Sequence, residues 1–212
     1  MSDSQRLAAL RRKMQRYNHP AKGSAIKVEP IRDINVINSI KTNLQSQPRN
    51  LCLFTLGINT AYRAGELLSL RISDVADLRV GDSLEIKQSK TNEYRRATLN
   101  RSAYEALQRW INVHPKPSPS SPLFLSRRGG TISVSYVSQL VKLWCKEAGL
   151  KGNYASHTLR KTWGYHQRMS NRSEGVVPLL MRAFGHSSEA QTLEYLCIQP
   201  KEIKDLYLQM EL

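Results

Sequence analysis

From Pro30 onward apolar residues recur mainly at spacings of three and four, and a spacing of two is clear only between residues 83 and 99. A helix repeats about every 3.6 residues and a strand every two, so the chain is confined to a mainly α fold with one small antiparallel β-sheet, an α+β class. Ile34, Ile37, Ile40 and Leu44 mark a helix that stops before Pro48. Leu51 to Tyr62 reads as a second helix, and Glu66 to Leu70 continues helically beyond it. Ser83-Leu84-Glu85-Ile86-Lys87 and Tyr94 to Leu99 read as two strands joined by a polar turn containing Lys90, Thr91 and Asn92. A helix from Ser102 to Val113 leads into a Pro- and Ser-rich loop, His114 to Pro122. Val137, Leu140, Val141, Trp144, Cys145 and Ala148 line one face of the next helix, and Gly149 stops it. Further helices are predicted around His157, over Val176 to Phe184, around Tyr195 and from Pro200 to Met210.

Residues 1–29 are of a different kind. Arg6, Arg11, Arg12, Lys13, Arg16, Lys22 and Lys27 stand there against only Asp3 and Glu29. Leu7, Leu10 and Met14 suit a short helix, Pro20 breaks it, and Gly23 lies in the linker that follows. Too few apolar residues are present to bury a core, so 1–29 reads as a basic arm, partly helical or flexible, ahead of a domain over 30–212. Across the 212 residues, 32 Lys and Arg outweigh 17 Asp and Glu, a net charge of +15. Such a surplus opposes compaction unless a polyanion neutralises it, and nucleic acid is the commonest such partner. The N-terminal residues lack the apolar stretch of a signal peptide, and the longest apolar run, Leu51 to Ile58, is too short to cross a bilayer. Cys52, Cys145 and Cys197 are scattered without a Cys-x-x-Cys, which argues against a disulfide framework or a zinc knuckle. A soluble cytoplasmic protein without membrane contact is expected.

The chemistry-bearing residues are spread along the domain. Arg63 sits at a helix junction in Tyr62-Arg63-Ala64-Gly65-Glu66, and His157 and Arg160 stand three apart, on one face of a helix. Arginine presents a planar fork of donors to two phosphate oxygens and keeps its charge. Two such forks stabilise a five-coordinate phosphorus without a metal. Phe184-Gly185-His186 is followed, nine residues after the histidine, by Tyr195. No cluster of carboxylates suggests metal-dependent nuclease chemistry.

In this order and at these intervals, over roughly residues 30–200, the chain resembles the tyrosine recombinases, the phage-integrase family. The family pattern is an Arg with a Glu three on, a Lys in a β-turn, His-x-x-Arg, Gly-His, and a Tyr nine beyond that His. The resemblance implies that Tyr195 attacks a phosphodiester of double-stranded DNA to leave a 3′-phosphotyrosyl link. Arg63 and Arg160 would hold the non-bridging oxygens, Lys90 would protonate the leaving 5′-oxygen, His157 would help take the tyrosine proton and His186 would bond the phosphate. Glu66 would brace the site. No cofactor and no metal is implied. The resemblance also implies a homo-oligomer on DNA, a tetrameric synapse in which the helix of residues 200–212 docks on a neighbouring protomer through Ile203, Leu206, Tyr207 and Met210. Packing of that stripe on its own domain is the alternative.

Lys87 competes with Lys90 as the acid, although Ser89-Lys90-Thr91 fits the family turn better. Tyr165 and Tyr207 are off the family interval, and His19, His114 and His166 read as surface or packing residues. Lys161 follows Arg160 where the family more often has His, and Trp163-Gly164-Tyr165 replaces smaller residues. Many family members carry a helical clamp domain ahead of the catalytic one, and with only the basic arm before the matched region none is expected here. The expected activity is site-specific recombination, as integrase or invertase of a mobile or switchable element. A type IB topoisomerase and a non-catalytic DNA-binding regulator on the same fold are the alternatives.

Overall fold

The computed structural model describes residues 27–87, 94–171 and 175–196. Its helices run α1 Ile34–Asn43, α2 Pro48–Gly57, α3 Ala64–Ser69, α4 Arg101–Ile111, α5 Val134–Glu147, α6 Ser156–Ser170, α7 Val176–Phe184 and α8 Glu189–Tyr195. A 3₁₀ turn at Ile72–Asp74 precedes a two-stranded antiparallel sheet, β1 Ser83–Lys87 with β2 Tyr94–Thr98. The mainly helical fold with one small sheet is the architecture that the spacing of apolar residues predicts.

Local chemistry sets the ends of these elements. Asp33 caps α1 by accepting from Asn35 N at 2.8 Å, and Asn100 and Ser133 cap α4 and α5 in the same way. Pro48 opens α2, where its missing N–H costs nothing. Every residue of α2 from Asn50 to Gly57 is buried, so this helix is the axis of the main core. Ile37, Ile40, Leu107, Trp110, Val137, Val141 and Trp144 surround it, with Phe54 meeting Trp144 edge-on at 5.7 Å. Helix α6 packs tightly at Gly57, where a Cβ would lie 2.6 Å from Leu159 Cδ1.

Helix α2 is shorter than its sequence suggests. The apolar pattern predicts a helix from Leu51 to Tyr62, but the helix ends at Gly57. Asn59 Nδ2 donates to Thr55 O at 2.7 Å and Thr60 Oγ1 to Leu56 O at 2.8 Å, so side chains take up the last carbonyls. Ala61 then adopts φ +58°, a left-handed conformation costing a side chain about 1 kcal/mol. Tyr62 turns to the sheet instead, its hydroxyl 2.5 Å from Leu84 O and 3.1 Å from Arg95 O.

In the sheet, Leu84 opposes Ala97 and Ile86 opposes Arg95 on the inner face, while Glu85 and Arg96 pair outside at 2.6 Å. A smaller second core joins Ala61, Val176, Leu180, Phe184 and Leu196, with Trp163 and Tyr195 against it. Gly185, at φ +62°, closes α7 in the left-handed region that glycine enters without penalty, and turns the chain into α8. The two free cysteines among the described residues are buried, and burial pushes the Cys145 thiol up to about 12. Among the described residues no helix is long and apolar enough to cross a membrane. Most of the basic arm and the helix predicted from Pro200 lie outside the described residues.

Candidate active site

Three junctions of the fold converge where the two cores meet. The turn between α2 and α3 supplies Arg63, the first two turns of α6 supply His157, Arg160 and Lys161, and the α7–α8 hairpin supplies His186 and Tyr195.

Arg160 ties these junctions together. It is 2% exposed, the largest of the fully buried side chains, and its guanidinium donates to Ala61 O from one nitrogen and to Phe184 O from another. One bond holds the strained residue two before Arg63, and the other holds the residue two before His186. The two bonds use two of the five hydrogens a guanidinium carries. Its plane also lies 4.7 Å from the centroid of the Phe184 ring and 5.9 Å from that of Tyr195.

Arg63 is the N-cap of α3 and its side chain is 43% exposed, open to an incoming anion. Glu66 holds it from below, accepting from Arg63 N at 2.6 Å and from Arg63 Nη1 at 3.0 Å. The same carboxylate accepts from Arg95 Nη1 at 3.2 Å, and Arg95, 8% exposed, also donates to Ala183 O. Glu66 thus braces two arginines, one at the start of α3 and one on β2.

His157 Nδ1 lies 3.2 Å from the Tyr195 hydroxyl. The Tyr195 ring stands edge-on to His186 at 5.1 Å and to Phe184 at 5.2 Å, and Lys161 Nζ lies 4.7 Å from its centroid. His186 Nδ1 reaches Thr192 Oγ1 at 3.0 Å, and that hydroxyl lies 3.2 Å from Ser188 O.

The cations leave an electrostatic mark. Burial first, then Arg160, Arg63 and Lys161, lower the His157 pKa. Burial, Arg160, Arg63 and Arg95 bring His186 down to about 4. Both imidazoles are therefore neutral near pH 7, so His157 is able to accept a proton from Tyr195. Burial draws Arg160 down to about 10, which still leaves it charged.

Of the residues singled out from sequence, Arg63, His157, Arg160, His186 and Tyr195 are brought together, while Lys90 lies outside the described residues, between β1 and β2. Tyr165 packs elsewhere, its ring against His166 and 5.7 Å from the Arg32 guanidinium. His114 and His166 bond backbone carbonyls, Pro122 O and Ile31 O. Among the described residues no group of three His, Cys, Asp or Glu side chains is placed to hold a metal. Sequence reasoning missed Arg95 and Thr192, and recorded Lys161 only as a departure from the family pattern. The strand register held a signal for Arg95: alternation puts it on the inner face with Leu84 and Ile86, where a charge requires a partner.

Fold and site together define a class. The chain belongs to the phage integrase family, the tyrosine recombinases, whose family model matches residues 32–202. It is 31% identical to the probable integrase/recombinase YoeC of Bacillus subtilis over 185 residues, covering 85% of this chain and 95% of that protein. It is 29% identical to the tyrosine recombinase XerC of Caldanaerobacter subterraneus over 160 residues, covering 74% of this chain and 43% of that protein. The chain spans about half the length of the XerC relatives it matches. Among solved structures, the XerA recombinase superposes with a TM-score of 0.70 at 20% identity, over 91% of this chain and 66% of that one. The XerH site-specific recombinase bound to palindromic difH substrate, a post-cleavage complex, superposes with a TM-score of 0.69 at 20% identity, over 87% of this chain and 53% of that one. At such identities the shared property is the fold.

Proposed function

We propose that this chain is a site-specific recombinase that cuts and rejoins duplex DNA through a 3′-phosphotyrosine formed on Tyr195. The observation that carries the reading is the 3.2 Å approach of His157 Nδ1 to the Tyr195 hydroxyl beside buried Arg160. In the forward step His157 takes the phenol proton as the tyrosine oxygen bonds to phosphorus. The bond from phosphorus to the 5′-oxygen breaks, and that oxygen leaves with a proton from Lys90. Arg63 and Arg160 hold the charge that gathers on the non-bridging oxygens. His186 donates to the same phosphate. The reverse sequence, with a 5′-hydroxyl of another strand as nucleophile, rejoins the backbone without ATP, because the phosphotyrosine conserves the energy of the broken bond. The partner is double-stranded DNA, in keeping with the net charge of +15. Two duplexes are exchanged within a tetrameric synapse of this chain. Neither cofactor nor metal enters the scheme.

The test is a nicked suicide duplex bearing the chain's own site, taken from repeats in the DNA flanking its gene. Wild type should form a covalent complex on a denaturing gel in the presence of EDTA, and Tyr195→Phe should bind the duplex but form none. Loss of the complex in EDTA with rescue by magnesium, or its persistence in Tyr195→Phe, would contradict the mechanism. Relaxation of any supercoiled plasmid, without exchange between particular sites, would instead mark a topoisomerase.

A further inference from the structure

Lys161 is 6% exposed, and its ammonium lies 4.7 Å from the centroid of the Tyr195 ring. A lysine is rarely buried without a use for its charge, because taking an ammonium out of water is costly unless something nearby compensates it. Against a neutral phenol one such attraction is the ring's quadrupole. Against a phenolate it is a full opposite charge, and a cation within about 4–6 Å strongly favours the charged form of its neighbour.

Resting on the proposed function, we propose that Lys161 is a positioning residue acting through Tyr195, its ammonium stabilising the phenolate that attacks phosphorus and, on rejoining, leaves it. When the phenol proton passes to His157, a neutral pair becomes a phenolate and an imidazolium. Lys161 favours the first and opposes the second. Its effect on tyrosine is the one proposed here to prevail, because the ammonium sits directly against the ring. The charged and titratable groups around Tyr195 and Arg160 are His157, Arg160 and Lys161 of α6, and His186 of the α7–α8 turn. Arg63 and Glu66 of the α3 start and Arg95 of β2 are further such groups among the described residues. On its own helix the neighbouring Glu194 is engaged by Lys27 at 3.1 Å. Lys161 and Arg160 are thus the cations that lie directly against the nucleophile's ring among the described residues, and Arg160 is already committed to two carbonyls.

Two readouts on the full-length protein test this. In DNA-free protein labelled with 13Cζ-tyrosine, with the Tyr195 resonance identified by its loss in Tyr195→Phe, Lys161→Met should raise the pH at which Tyr195 ionises. Lys161→Arg should leave it near the wild-type position. In single-turnover cleavage of the nicked duplex, Lys161→Met should slow attack roughly tenfold near neutral pH, with the deficit closing as the pH rises. A deficit equal at all pH values, or an unmoved Tyr195 resonance, overturns the proposal. Should Lys161→Met fail to fold, Lys161→Gln carries the same comparison. If wild type forms no covalent complex, the recombinase reading fails, while the resonance still decides what Lys161 does to Tyr195.

Discussion

Thr192 places one hydroxyl between a backbone carbonyl and His186 Nδ1. It is fully buried, at 0% exposed, and its single hydroxyl hydrogen goes either to Ser188 O or to His186 Nδ1. His186 is neutral near pH 7, since burial and the surrounding arginines bring it down to about 4. If Thr192 donates to Nδ1, the imidazole carries its proton on Nε2 and presents a donor to the phosphate. Replacing Thr192 by Val keeps the shape and removes that control. Cleavage should fall roughly tenfold, and unfolding in urea should show a loss of about 1 kcal/mol for a buried hydrogen bond. Thr192→Ser, which keeps the hydroxyl, should restore most of the rate. Equal rates for Val and Ser would show that the hydroxyl does nothing beyond packing.

At the scale of elements, the hairpin of α7 and α8 is the part on which the proposed reaction geometry depends. It carries His186 and Tyr195 and rests on the smaller core, where α6 comes close enough for contact only because residue 164 is glycine. A Cβ there would run into the Phe184 ring and come within 2.7 Å of Leu196 Cδ2. Gly164→Ala is therefore expected to push the hairpin off α6, destabilising the fold by about 1–3 kcal/mol as overpacking does. Covalent-complex formation should fall further than DNA binding, which a gel-shift assay run beside the cleavage assay would resolve. If binding and cleavage fell in parallel, the hairpin would not be the element that positions the nucleophile.

The same scale shows what the sequence discloses and what it conceals. Helices with a clean apolar stripe were legible, as in α5, because burial of one face is written into the spacing of Val137, Leu140, Val141 and Trp144. The end of α2 was not, since Ile58, Ala61 and Tyr62 continue the apolar pattern while the Asn59 and Thr60 side chains bond the last carbonyls and the Tyr62 hydroxyl turns to Leu84 O and Arg95 O. Arg63, His157, Arg160, His186 and Tyr195 were legible through their order and intervals, and they meet in space. Arg95 looked like one more basic residue beside Arg96. Its burial follows from register, which puts it opposite Ile86 and within reach of Glu66.

For the whole molecule, fold, family and site geometry bear on one claim, that Tyr195 forms the bond to DNA. The chain's net charge of +15 prepares it for a polyanion, but charge alone would suit a binder as well as an enzyme. What separates the two is a covalent adduct on one tyrosine out of nine. Trypsin cuts after Arg182 and Lys201 and so releases Ala183 to Lys201, a peptide in which Tyr195 is the sole tyrosine. The suicide-substrate complex, formed in EDTA, digested with trypsin and nuclease and analysed by mass spectrometry, should carry its residual nucleotide on that peptide, with fragmentation placing the phosphate on Tyr195. An adduct on any other tyrosine-bearing peptide, or none on protein that has cleaved the strand, would contradict the account.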